Sequence, residues 1–484
     1  MNKLITYHPF FFICLLFIVL SFCVSKTIIS QQINTIELIN YTYLGNPQRN
    51  YYGNKAPEKL NLIWKTYLGE GYSIIPKTNK KVYCKGAGRT NQPLLFKENK
   101  KLYVLQSGCN HKIKKIDAIN GETVWEYEYD DVINSTGTIW ECKKCDSSNR
   151  YQLIQGSKKG INYNKENDRA ECLRSISIKN GKEIWRYNVK KTPCYSRDVD
   201  GSGIICNDSL FIGLENGTLA IINPTILDHK NKKKFPKTLN EIPLYNDSDV
   251  IKHNHNLVTE SSPSILNNHI YIASGSGHIF GYNKKLKKID WDYYIGADID
   301  GSTVITKDSS ILIGFEKEFL EGNGGVLKIS PLNNNVSWFF PIKNSISDKW
   351  AGGVIGSVGV NDMYTSENSK LAAFIGVDGV LYVVNHNVIS DNKVDGPHRK
   401  NQFFSPKLLF QKKIGLSIST PIFIGNKLIA ASSEGLWLFE ILNDNIELID
   451  HFMTTFESTP VVHNNRIYIA STDGYLYCFG KKNS

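Results

Sequence analysis

Residues 262–282 read SPSILNNHIYIASGSGHIFGY, and residues 459–479 repeat the pattern as TPVVHNNRIYIASTDGYLYCF. Each copy breaks into three apolar runs, separated first by Asn-Asn and then by a Gly-containing turn. Short runs rich in Ile, Val and Tyr, punctuated by such turns, read as strands joined in hairpins. In the first copy the strands are 262–266, 269–274 and 278–282, and a fourth, 289–293, carries Trp291. The last copy reaches Ser484 without a Trp strand of its own.

Working outward, the same opening recurs: a small polar residue, often followed by Pro, then a strand. It stands at 90–95, 134–139, 200–205, 260–265, 300–305, 355–360, 418–423 and 457–462. Eight copies at this spacing fit four short strands per repeat, the period of a propeller blade. A second signature, a run carrying Trp after a polar turn, marks Trp64, Trp125, Trp185, Trp291 and Trp338. Trp64 lies in NLIWKTYLG (61–69), a fourth strand with no three before it. The expected fold is therefore all-β: an eight-bladed propeller of four-stranded antiparallel blades, closed when residues 61–69 join the last blade. Closure removes the exposed sheet edges that invite aggregation. Each Trp is expected to wedge against the Gly-containing turn of a neighbouring blade, a burial worth about 2–3 kcal/mol.

The rest of the chain divides around that ring. Lys3 followed by the uncharged run 10–24 makes 1–25 a secretory signal peptide. An uncleaved anchor, which would associate the protein with a membrane, and lipidation at Cys23 are the alternatives. Residues 26–59 form a lead segment and 60–480 the propeller. Segments 140–170, 228–258 and 385–405 are expected to decorate the rim. Net charge is +11, with a basic run from Lys230 to Lys237. In an exported protein this run reads as a solvated loop and not as a nucleic-acid site. Eight cysteines lie beyond the export segment. Cys84 with Cys109 and Cys194 with Cys206 are candidate local disulfides. Cys142-Lys-Lys-Cys145 reads as a structural disulfide or free thiols, with a metal or redox centre as the alternative.

At Ala118-Ile-Asn-Gly121-Glu-Thr-Val-Trp125 and Ile178-Lys-Asn-Gly181-Lys-Glu-Ile-Trp185 the chain resembles the eight-bladed propellers built from pyrroloquinoline quinone (PQQ)-like repeats. Their docking pattern is Ala-x-x-x-Gly-x-x-x-Trp, with Gly here one place displaced. The resemblance covers about residues 60–480 and is specific for fold more than for function. It implies one of two branches. Quinoprotein dehydrogenases bind PQQ with Ca²⁺ over the channel, commonly on a disulfide between adjacent cysteines, and this chain has no adjacent pair. The other branch is the non-catalytic scaffold of the outer-membrane assembly factor BamB type. The resemblance favours that branch: a monomeric scaffold in the periplasm, at the outer membrane or outside the cell, holding a protein or peptide partner at its channel mouth and rim loops. A PQQ-dependent alcohol or sugar dehydrogenase is the alternative.

First strands of a propeller line its channel, so Gln92, Thr136, Ser202, Ser262, Ser302, Ser357, Thr420 and Thr459 should form a ring at one mouth. Just before it come Asp198-Val-Asp200-Gly-Ser202 and Asp298-Ile-Asp300-Gly-Ser302, with Glu260 between them. Carboxylates crowded away from water must protonate, pair with a base or bind a cation. Asp198, Asp200, Glu260, Asp298 and Asp300 are thus the candidate ligands for Ca²⁺, or the dock for a basic peptide. The structural alternative is that each Asp-Gly only turns the chain, its carboxylate capping backbone N–H groups. No catalytic residues are expected.

Overall fold

The computed structural model describes residues 35–75, 80–88, 91–163, 168–364, 370–442 and 445–481. Residues 1–25, read above as a signal peptide, and Cys23 within them lie outside the described residues. Eight antiparallel sheets form the blades, and a ninth, two-stranded sheet pairs Glu70–Ile74 with Lys81–Lys85. All eight recurring segments lead into or contain the first of a blade's consecutive strands, from Leu94–Glu98 in blade 1 to Val461–His463 in blade 8. The repeat quoted above forms blade 4, with strands Ser264–Leu266, His269–Ala273, His278–Asn283 and Lys288–Tyr294. The ring closes as its sequence requires. Leu62–Tyr67 pairs antiparallel with Tyr475–Gly480 and becomes the outer strand of blade 8.

The outer-strand indoles sit on the next blade. Trp64 lies against Gly121, and Trp125 against Gly181. A Cβ added at either glycine would fall 2.8 Å from the six-membered ring of its indole, so no larger residue fits without displacement. Both glycines also hold positive φ, +78° and +70°, which disfavours any side chain. The indole N–H groups reach the same turns, Trp64 to Ala118 O at 3.3 Å and Trp125 to Ile178 O at 3.2 Å. Trp338 donates to His386 O at 2.9 Å, and Trp291 donates to the Asn334 side chain. Trp185 is fully buried among residues of blades 2 and 3, with no partner for its N–H.

Two rim expectations change. Segment 140–170 contains Tyr151–Gln155, a strand of blade 2. Within 228–258 and 385–405, the larger part extends the outer hairpins of blades 3 and 6, whose third strands reach Thr218–Lys230 and Val380–Asp395. These strands continue past register shifts that leave 224–226, 386–388 and 390–392 outside the ladder, with pairing resuming beyond each. Cys142 and Cys145 form a disulfide, whereas Cys194 and Cys206 are both free. The Cys194 thiol donates to Glu215 O at 3.0 Å and is not paired with Cys206. Cys84 and Cys109 are also free, their thiols sharing a hydrogen bond.

The lead segment does not stay outside. Ile36–Asn40 adds a fifth strand on the channel side of blade 1. The chain then passes around the inner strands and fills the channel. Ile139 N–H donates to Tyr41 O, Ile265 to Pro47 O, Ile305 to Gln48 O and Val462 to Tyr52 O, at 2.7–3.3 Å. Val360 N–H donates to the Tyr52 hydroxyl at 2.9 Å. Inner-strand amides facing an apolar channel would otherwise lack partners, at a cost of about 1–3 kcal/mol each. Tyr43, Leu44 and Tyr52 belong to the largest apolar cluster, with Val304, Val360, Ile422 and Val462.

Arg49 anchors this plug. It is fully buried. Its guanidinium donates to Pro263 O (2.9 Å), Thr42 Oγ1 (2.7 Å), Tyr43 O (2.7 Å) and Ser202 O (3.2 Å). Burial pulls its pKa down to about 9, opposed by Tyr41 and Tyr43.

Candidate functional site

The eight ring residues staple neighbouring blades together. Gln92 N–H donates to Thr136 Oγ1 (2.6 Å), Ser202 N–H to Ser262 Oγ (2.9 Å), Ser262 N–H to Ser302 Oγ (2.9 Å) and Ser302 N–H to Ser357 Oγ (2.9 Å). Ser357 N–H donates to Thr420 Oγ1 (3.0 Å) and Thr420 N–H to Thr459 Oγ1 (3.1 Å). Ser202 Oγ reaches back to Thr136 O (2.5 Å), and Thr459 N–H completes the circuit at Asn91 O (3.1 Å). A hydroxyl suits this position because it accepts from one blade while its own backbone donates to the next. The ring thus separates two regions. The plug contacts residues at and after it, while the candidate carboxylates precede it by two to four positions.

Four of the five predicted carboxylates fall into two groups, each completed by one that sequence reasoning missed. Asp200 and Glu260 meet Glu215, and Asp298 and Asp300 meet Glu316. In each group one oxygen from every residue lies within 4.8 Å of the others. Asp198 stands apart, accepting from Lys159 N–H at 3.0 Å, which is the backbone-capping role. Glu215 and Glu316 each directly follow a second strand, Ser209–Leu214 and Ile311–Phe315. Their nearly equal spacing after each Asp pair, 15 residues from Asp200 and 16 from Asp300, was the signal available to find them.

The electrostatics are those of crowded acids. Burial, then Asp200, Asp198 and Glu260, hold the Glu215 carboxyl well above the usual carboxylate range. Burial pushes Glu316 up to about 9, with Asp298, Glu318 and Glu260 adding repulsion and a hydrogen bond with Asp300 opposing it. Burial lifts Asp298 to about 7, against a hydrogen bond from Asn256. Glu215 Oε2 accepts from Ser196 Oγ (2.6 Å) and Asp298 Oδ2 from Asn256 Nδ2 (2.6 Å). Their other oxygens, Glu215 Oε1 and Asp298 Oδ1, are buried with no donor. Hard carboxylate oxygens at this spacing suit Ca²⁺.

A stability consequence has a definite sign. In cation-free protein the folded state holds protons on Asp298 and Glu316 more tightly than the unfolded chain does. Their contribution is complete below the unfolded values near 4 and is lost as pH rises through about 7 and about 9. The melting temperature in chelator is expected to fall between pH 6 and pH 9.5, and added Ca²⁺ to flatten that slope. A pH-independent melt in chelator would contradict the burial of these groups.

Elsewhere, a cleft of about 850 Å³ opens among blades 1, 2 and 3, lined by residues that include Glu128, Arg169, Glu171, Arg186, Lys230 and Lys233. Its cations converge on Glu171, which pairs with Arg186, Lys233 and Arg169. Among the described residues no helix is long and apolar enough to cross a membrane.

Eight four-stranded blades closed by an N-terminal strand define the chain as an eight-bladed β-propeller. Three solved structures share that architecture. BamB from Moraxella catarrhalis aligns at 12% identity over 87% of this chain and 100% of its own, with a TM-score of 0.54. Quinohemoprotein alcohol dehydrogenase from Comamonas testosteroni aligns at 13% identity over 92% and 81%, with a TM-score of 0.56. A europium-containing methanol dehydrogenase aligns at 10% identity over 91% and 98%, with a TM-score of 0.52. At these identities the likeness is one of fold, and it includes the two branches the sequence resembles. No protein-family model and no curated protein sequence matches the chain.

Proposed function

We propose that this protein is an exported, monomeric, non-enzymatic scaffold that holds a protein or peptide partner at its carboxylate-lined mouth and rim loops. Ca²⁺ is the inorganic ligand of that mouth, and no quinone is required. One observation carries the reading: the channel is filled by residues 41–53 of the same chain, while the acidic groups lie on the other side of the hydroxyl ring. A ligand threading the channel would have to displace the plug. A partner seated on the mouth would not, and a cationic segment of it would neutralise the crowded carboxylates there. The architecture shared with BamB supports the scaffold reading at the level of fold.

The test is cross-linking of the full chain in its native envelope, with and without Asp200→Asn/Asp300→Asn. One partner recovered with the wild type, and at least tenfold less with the variant, is the expected result. Saturable, alcohol- or sugar-dependent dye reduction after adding PQQ and Ca²⁺ would replace the scaffold with the dehydrogenase reading, which the likeness to the two dehydrogenases keeps as the runner-up.

A further inference from the structure

The two acidic groups are built on the same repeated segment, with a different third carboxylate in each: Glu260 in one and Asp298 in the other. Blade 3 carries Asp198-Val-Asp200-Gly-Ser202 and then Glu215; blade 5 carries Asp298-Ile-Asp300-Gly-Ser302 and then Glu316. Their backbones match as well. Glu215 N–H donates to Asp198 O, and Glu316 N–H donates to Asp298 O, each at 3.1 Å. That bond joins the end of the second strand to the segment entering the first, and so brings the glutamate beside the aspartates. Blade 4 between them supplies Glu260 to the first group.

We infer that the duplication builds two separate Ca²⁺ sites, one on Asp200, Glu215 and Glu260 and the other on Asp298, Asp300 and Glu316. The chain therefore binds two ions. This deepens the calcium-loaded mouth proposed above and rests on it. Two independent observations support it. In each group the three carboxylate oxygens lie within 4.8 Å of one another, the span of ligands across an ion with Ca–O distances of about 2.4 Å. In each group one carboxylate is also held by a neighbour on one oxygen only. Ser196 holds Glu215 and Asn256 holds Asp298, leaving Glu215 Oε1 and Asp298 Oδ1 buried without a donor in residues only 5% and 9% exposed. A buried carboxylate oxygen lacking a donor is costly, and a bound cation removes that cost.

An alternative is a single ion shared across the mouth, and stoichiometry separates the two. Full-length protein freed of metal by chelation is titrated with Ca²⁺ by calorimetry and, in parallel, with Tb³⁺ by luminescence. Two ions per chain are expected. Glu215→Gln should remove one and Glu316→Gln the other, each variant keeping one ion. If either variant loses its native circular dichroism, Asp200→Asn and Asp300→Asn report the same two sites. One ion in the wild type, or a variant that loses both ions or neither, overturns the two-site inference while leaving a calcium-loaded mouth in place. No ion in the wild type removes the calcium reading as well, and partner capture by the mouth is scored separately by the cross-linking experiment.

Discussion

Deleting residues 61–69 should abolish cooperative unfolding of the propeller. The deletion strips the outer strand from blade 8 and exposes the edge Tyr475–Gly480 along five paired positions. It also removes Trp64 from the pocket at Gly121 and the hydrogen bond to Ala118 O. The lost pairing and burial amount to on the order of 5 kcal/mol, comparable with the whole stability of many domains. The consequences extend beyond blade 8, because the strand and its indole also join that blade to blade 1. Limited proteolysis should cut first within 457–480, and the shortened chain should aggregate through its new edge. A deletion product with the melting temperature of the intact chain would show that the ring does not depend on this strand.

Arg49→Ala should cost about 3–5 kcal/mol, the range for breaking a buried, hydrogen-bonded charge network. Its guanidinium links blades 3 and 4 to the plug through Ser202 O and Pro263 O, and braces the plug through Thr42 and Tyr43 O. Truncation leaves buried carbonyls without donors and a cavity at the centre of the ring. Arg49→Met separates the two causes, since it restores much of the volume without the donors. Denaturant midpoints should rank wild type, then methionine, then alanine. A methionine variant as stable as the wild type would show that the residue fills space and that its hydrogen bonds add nothing.

The repeat was legible because it is local chemistry. Alternating apolar residues, Asn-Asn and Gly turns, and the periodic Trp specify hairpins within about 40 residues. Hence the strands of blade 4, the eight inner strands and the closing strand Leu62–Tyr67 all stand where their residues place them. The aspartate pairs were legible for the same reason, since they recur at one repeat position. Glu215 and Glu316 were harder to see. Each stands alone after a strand, and only the bond from its N–H to Asp198 O or Asp298 O turns it toward the mouth.

The plug was not legible at all. Residues 41–53 repeat nothing and alternate in no regular way, because their partners are backbone groups of six blades and the Gln92 and Thr420 side chains of the other two, and not one neighbouring strand. The sequence by itself determined the blade, its count and its closure, since each depends on contacts between residues close in the chain or on one unmatched strand. Only the closed tertiary structure decided what fills the channel and which acids meet. The plug depends on distances across a ring that exist once its first and last strands have paired, and the acids on contacts within blade 5 and between blades 3 and 4.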